Sequence, residues 1–188
     1  MGITSVNKTI DKQEISCDET LKVTLSLNAA PNIITHPVDI VLILDESKSM
    51  EGSALENLKI AADAFIDIIQ ESTQGESGQI GSGSHIGIVS FSDTATQETQ
   101  LITSTADLKQ AINSLHANGR TNHADAFTKA IDLFNAASTN EKVMIMFTDG
   151  KTTIGENPNP VAESAKAQGI TIYCIGLLGS DGVDADEL

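Results

Sequence analysis

From Thr35 onward the chain alternates continuous apolar runs with segments whose apolar residues recur at helical spacing. That alternation predicts buried parallel strands joined by amphipathic helices on both faces of one sheet. The run DIVLILD, Asp39 to Asp45, is unbroken and β-branched, as a central strand covered on both sides requires. Past a short loop, Ser53 and Glu56 have capping-box spacing, and Leu55, Leu58, Ala62, Phe65 and Ile69 form a helical stripe. The Gly- and Ser-rich stretch QGESGQIGSGS, Gln74 to Ser84, reads as a mobile connection.

HIGIVSFS and TATQETQLIT follow as a predicted hairpin, the second run alternating as an antiparallel edge strand does. Thr105 is expected to cap a helix bearing Leu108, Ile112 and Leu115. After HANGRTN a second helix carries Phe127, Ala130, Ile131 and Phe134, and KVMIMFTD is another buried strand. Asn159-Pro160 opens a further helix, Gly169 closes it, and ITIYCIGLL supplies the last strand. Within GSDGVDADEL another helix is expected to start, so the sheet is expected to be unfinished at residue 188. Residues 3–34 differ: VNKTI, EISCDE and LKVTLSLNA read as short strands with no helix between them, in the manner of the opening strands of a β-sandwich. The expectation is an α/β protein with a doubly wound, mainly parallel sheet, one antiparallel edge strand and a small N-terminal β segment. Residues 1–36 are assigned to that segment and 37–188 to the α/β domain.

Topology alone already directs attention to one place. In a doubly wound sheet, ligands gather outside the carboxyl ends of the strands that flank the reversal of strand order. Asp45 ends the first core strand and Asp149 ends KVMIMFTD, so the two carboxylates are expected to face one crevice. The loop DESKSM can aim the hydroxyls of Ser47 and Ser49 at the same point. Taken singly, each reads better as an ordinary structural residue, the aspartates as strand-end caps and the serines as turn formers. Together they form an all-oxygen donor set suited to a hard cation, Mg²⁺ first and Mn²⁺ or Ca²⁺ as alternatives. No His or Cys clusters with them, which disfavours zinc; His85, His116 and His123 are read as surface residues, and Glu46, Lys48 and Asp93 as solvated loop charges.

Composition narrows the partners. The chain has 188 residues, with 11 Lys+Arg against 26 Asp+Glu and a net charge of −15. Such a field repels phosphate backbones and anionic lipid, so nucleic acid is excluded as a partner. No apolar run approaches the ~20 residues that span a bilayer, and the first residues lack the charged-then-apolar pattern of a secretion signal. Two cysteines, Cys17 and Cys174, are too few for a disulfide framework; Cys174 in an apolar run reads as a buried small hydrophobe, with a single bridge to Cys17 as the alternative.

The pattern D-x-S-x-S after a strand, a Thr in GRTN before a helix and TDG closing a later strand resembles the metal-ion-dependent adhesion site of von Willebrand factor type A domains. The matching residues are Asp45, Ser47, Ser49, Thr121 and Asp149, and the resemblance runs from Val38 to Leu178. It implies that the Ser and Thr hydroxyls bind the metal directly, that the aspartates act largely through water, and that a Glu or Asp of a partner protein completes the shell. Asn122 and Asp125 stand at the following helix start, as outer hydrogen-bonding groups or simple caps. Arg120 departs from the family, where Gly is common; its guanidinium reads first as an exposed solvated charge at the rim, with contact to an acidic partner as the alternative. Bacterial surface and pilus-tip adhesins often insert this domain into a β-sandwich, so the resemblance implies an extracellular, cell-surface protein that captures a host matrix or surface protein.

Two other functions compete. One is an enzyme using the cation for phosphoryl transfer or hydrolysis; an aspartyl-phosphate enzyme would want a carboxylate two positions after its nucleophile, where Ser47 stands. A mononucleotide binder would want a Gly-rich turn that DESKSM lacks, and no Ser/His/Asp or Cys/His arrangement is recognisable. The remaining alternative is a domain in which the metal only braces loops.

Overall fold

The computed structural model describes residues 2–10, 23–30 and 36–177, the first two stretches as backbone alone. The expected EISCDE strand, Cys17 with its alternative bridge to Cys174, and the helix start in GSDGVDADEL lie outside the described residues. The chain divides into two compact units, Met1–Ile33 and Ile34–Leu188. In the first, β1 (Gly2–Ile10) pairs antiparallel with β2 (Val23–Ala30), and the register shifts between Ile3 and Ser5.

The second unit is built on β3 (Val38–Asp45), every residue of which is buried. It is flanked in parallel by β4 (His85–Phe91) and β6 (Glu141–Thr148), and the sheet order is β5-β4-β3-β6-β7, with β5 at Ala95–Gln97 and β7 at Ile170–Gly176. β7 is parallel to β6, and β5 pairs antiparallel with β4. From β3 the chain moves first to one side and later returns to the other, so strand order reverses beside β3.

Successive residues of a strand point to opposite faces. Ile40, Leu42 and Leu44 therefore enter one core with Leu55, Leu58, Ala62 and Ile66 of α1 (Ser53–Ser72) and Leu108 and Ile112 of α2 (Thr105–Asn113). Val41 and Ile43 enter the other, against Ala126, Phe127 and Ala130 of α3 (His123–Leu133) and Ala165 of α4 (Asn159–Ala167). A strand so placed is apolar on both faces, which is why Ile40 to Leu44 show no alternation and the aspartates stand only toward its ends.

Several local expectations need correction. α1 is capped by Gly52, with no side-chain cap, so Ser53 is already helical; α2 is capped by the Ser104 hydroxyl, which accepts from the Asp107 amide, and Thr105 is its first residue. Asn159 likewise lies inside α4 rather than capping it; Pro158 precedes it. The predicted edge strand survives only as Ala95–Gln97. Beyond it the amides of Glu98 and Thr99 both donate to the Ile88 carbonyl, at 2.9 and 3.2 Å. That bulge interrupts pairing until Ile86 meets Ile102. The Gln74 to Ser84 segment, read as mobile, is tied down. Its Ile80 is buried and donates to the Thr103 carbonyl at 2.8 Å, and the Gly81 amide donates to Thr73 Oγ1 at 2.9 Å.

Candidate metal centre

The five predicted residues lie at the carboxyl end of β3, in the loops that follow β3 and β6, and in the loop before α3. Asp45, the last residue of β3, is 0% exposed, and Ser47, Thr121 and Asp149 are buried with it. A sharp turn follows the strand: the Ser47 amide donates back to Asp45 Oδ1 at 2.8 Å, and residues Lys48–Met50 wind into one 3₁₀ turn. The turn sets the Ser47 and Ser49 hydroxyls 3.0 Å apart, and Ser49 Oγ donates to Asp149 Oδ1 at 3.0 Å. Four of the five residues thus form one hydrogen-bonded cluster spanning two strand ends.

Thr121 reaches this place through its backbone. The amide of Lys48 donates to the Gly119 carbonyl at 3.1 Å and that of Asn118 to the Glu46 carbonyl at 2.7 Å, which lays the Thr121 loop along the serine loop. From the other side, Thr153 Oγ1 accepts from the Thr121 amide at 2.9 Å, while the Thr121 carbonyl accepts from the Thr153 amide at 2.8 Å and the Ile154 amide at 3.2 Å.

Asn122 and Asp125 brace the loop instead of joining the cluster. Asn122 Oδ1 accepts from the Asp125 amide at 3.2 Å, capping α3, and its Nδ2 donates to the Asp93 carbonyl at 3.1 Å. Asp125 Oδ2 accepts from the Ala95 amide at 2.6 Å. Arg120 is exposed at the rim and pairs with Asp93.

Three supporting residues escape a reading of the sequence. Thr148 Oγ1 donates to Asp45 Oδ2 at 2.5 Å, and both residues are wholly buried. The parallel register that sets Leu44 beside Phe147 brings Asp45 to Thr148, so this contact is legible only once the pairing of β3 with β6 is known. Thr153 is likewise recognisable only by its contact. His123, expected at the surface, is 4% exposed. Its ring stands edge-on to Phe91 with centroids 5.5 Å apart, and its Nε2 lies 3.4 Å from Thr148 Oγ1. Burial pushes its pKa down to about 4, so it is neutral at physiological pH. His85 also departs from a free surface residue, its Nδ1 lying 2.9 Å from buried Asp39 Oδ1. Glu46, expected to be solvated, is half-buried and accepts from Ser90 Oγ at 3.3 Å and the His116 amide at 3.4 Å; burial pushes its pKa up.

The electrostatics fit a cation. Burial raises the pKa of Asp45; hydrogen bonds from Ser47 and Thr148 oppose the shift, and the charge of nearby Asp149 adds to it. Two carboxylates gathered out of water repel one another, and hydroxyls alone do not cancel the charge. A divalent ion would. The donors present are carboxylate and hydroxyl oxygens, the preference of Mg²⁺, Mn²⁺ and Ca²⁺; among the described residues no three His, Cys, Asp or Glu gather as metal ligands, so a cation here would depend on the hydroxyls.

Residues 39–188 match the von Willebrand factor type A domain, and the chain belongs to that family. Among relatives, it is 27% identical over 155 residues to pig inter-alpha-trypsin inhibitor heavy chain H4, covering 74% of this chain and 16% of that protein. It is 29% identical over 161 residues to the chicken collagen alpha-1(VI) chain, covering 81% and 15%. The chain thus spans about a sixth of the length of these curated relatives. Among solved structures, a von Willebrand factor type A protein from Catenulispora acidiphila superposes with a TM-score of 0.62 at 26% identity, covering 82% of this chain and 35% of that one. The domain of the type V pili tip protein Mfa5 from Porphyromonas gingivalis gives 0.56 at 25%, covering 71% and 51%.

Proposed function

We propose that the chain is a metal-dependent protein-binding module, in which Asp45, Ser47, Ser49, Thr121 and Asp149 hold a divalent cation, Mg²⁺ first, that captures an Asp or Glu of a partner protein. The observation that carries this reading is the cluster Asp45–Ser47–Ser49–Asp149 at the carboxyl ends of two adjacent strands. When bound, the cation supplies a Lewis-acidic position that an incoming carboxylate can fill. The chain's residues keep that position open and oriented. Ser47 and Ser49 present neutral oxygens, so the cation meets no more negative charge than that of Asp45 and Asp149, and Asp45 is fixed by donors on both of its oxygens.

The kinship with a pilus-tip domain and a collagen chain supports a place outside the cell, at a surface or in a matrix, with a matrix or surface protein as partner. No helix among the described residues is long and apolar enough to cross a membrane.

The test is calorimetric titration of the metal-free protein with Mg²⁺, Mn²⁺ and Ca²⁺, paired with capture of an acidic peptide. Wild type is expected to bind the cation and to capture the peptide only in its presence, and Asp45→Ala is expected to lose both. Capture that survives EDTA and Asp45→Ala refutes the reading.

A further inference from the structure

The chain contains a single arginine, and it stands at the rim of the metal centre. Arg120 immediately precedes Thr121, and the carbonyl before it, that of Gly119, accepts from the Lys48 amide at 3.1 Å. The guanidinium therefore springs from backbone tied to the loop of Ser47 and Ser49.

It is also held. Asp93 Oδ1 accepts from Arg120 Nε at 2.9 Å and from the Arg120 amide at 3.2 Å. Gly119, at φ +65°, permits this close approach: a Cβ there would come within 3.1 Å of Asp93 Oδ2. Both partners remain open to solvent, Arg120 at 66% and Asp93 at 49% side-chain exposure. Exposed ion pairs add little to stability, so the fold gains little from ordering this long side chain. What the pair does is hold it beside the loop of Thr121. Nε is spent on Asp93, and among the described residues the two terminal amino groups have no partner. A guanidinium oriented in this way presents a planar fork that matches both oxygens of a carboxylate.

The charge balance gives that fork a purpose. With 26 acidic residues against 11 basic ones, the field of the chain opposes an acidic partner. Yet each of the three loops carrying the five site residues also carries one exposed basic residue, Lys48, Arg120 or Lys151. Of the three, only arginine can take a carboxylate through two parallel hydrogen bonds.

We propose that Arg120 is a second anchor of the recognition surface and that the partner is an acidic peptide segment with paired Asp or Glu residues, one carboxylate directed to the cation and the other to the Arg120 fork. This rests on the metal-dependent capture proposed above.

The test uses labelled synthetic peptides, one with a single Asp among Gly and Ser and others with a second Asp placed one to four positions away, titrated in Mg²⁺. A bidentate charged pair is expected to make the best two-Asp peptide roughly tenfold tighter than the one-Asp peptide. In Arg120→Ala the ratio is expected to fall to near unity, and Arg120→Lys, a point charge without the fork, to lie between. Lys109→Ala removes the same charge from the distant helix α2 and is expected to keep the ratio. A two-Asp preference that persists in Arg120→Ala, or that Lys109→Ala reduces equally, overturns the proposal. So does heparin binding in EDTA that Arg120→Ala abolishes while the peptide ratio stands, since the arginine would then serve a polyanion. Mg²⁺-dependent capture with no two-Asp preference in wild type defeats only the role of Arg120. Mg²⁺ binding with no peptide capture defeats the carboxylate-capture reading itself.

Discussion

Thr148→Val isolates the residue that anchors Asp45 without itself being a candidate metal ligand. Valine has nearly the same shape, so no cavity opens, and only the hydroxyl is lost. That hydroxyl donates to Asp45 Oδ2 at 2.5 Å in a place where both residues are 0% exposed. Water cannot replace it, and the carboxylate oxygen is left with its desolvation uncompensated. A hydrogen bond to a charged group contributes about 1.5–3 kcal/mol, so the metal-free protein is expected to lose about 2 kcal/mol at pH 7. Asp45 also loses its fixed orientation, and removing an outer hydrogen-bond partner of a metal ligand typically lowers metal affinity about 10–100-fold. Part of the lost stabilisation is recovered once a cation neutralises the carboxylate, so the lower end, about tenfold, is expected. Urea unfolding in EDTA reads the first quantity and calorimetric Mg²⁺ titration the second. Thr148→Ser keeps the hydroxyl and is expected to retain most of both. Thr148→Val within about 0.5 kcal/mol and twofold of wild type would refute the claim that this contact holds the site together.

The other predictions probe the surroundings. Gly155 has φ +86°, and a Cβ there would sit 2.2 Å from Asn122 Oδ1. Gly155→Ala is therefore expected to displace the α3 cap and cost about 1–2 kcal/mol, read as a lowered melting temperature; an unchanged melting temperature would count against the capping role. His123 has a folded pKa of about 4 against 6.5 for the free side chain. Between those values the unfolded chain holds a proton that the folded chain does not. Its contribution is thus fully present above pH 6.5 and lost as the pH falls toward 4. The urea midpoint in EDTA is expected to drop across that window and the drop to shrink in His123→Phe; an identical slope in the variant rejects the assignment. At the opposite end of the sheet, buried Asp39 accepts from His85 Nδ1 at 2.9 Å, Ser138 Oγ at 2.9 Å and Asn140 Nδ2 at 2.8 Å. Asp39→Ala is expected to cost about 3 kcal/mol in stability while leaving the Mg²⁺ affinity of the folded protein unchanged, and a large loss of affinity would mean the two sheet ends are coupled.

The sequence by itself determined the layered α/β architecture and the place where chemistry gathers. Continuous apolar runs such as DIVLILD can be satisfied only between two helical layers, and the carboxyl ends of such strands carry Asp45 and Asp149. Those are properties of local pattern and of a general topological rule, and both survive without any knowledge of contacts. What only the tertiary structure decided depends on register and closure. Thr148 supports Asp45 because parallel pairing sets Leu44 beside Phe147, and no spacing in the sequence encodes that step. His123 looked like a surface residue because a lone histidine at a helix start has no periodic signature; the packing of α3 against Phe91 buries it. The Gly- and Ser-rich segment before β4 looked mobile because its order comes from bonds to Thr73 and Thr103, residues outside it. The edge strand was overestimated because alternation measures the preference of each residue for a sheet, and not the bulge at Glu98 and Thr99 that ends the pairing. Periodicity, in short, fixes which face a residue turns to the core, whereas hydrogen-bond partners distant in sequence are chosen only when strands and loops come together.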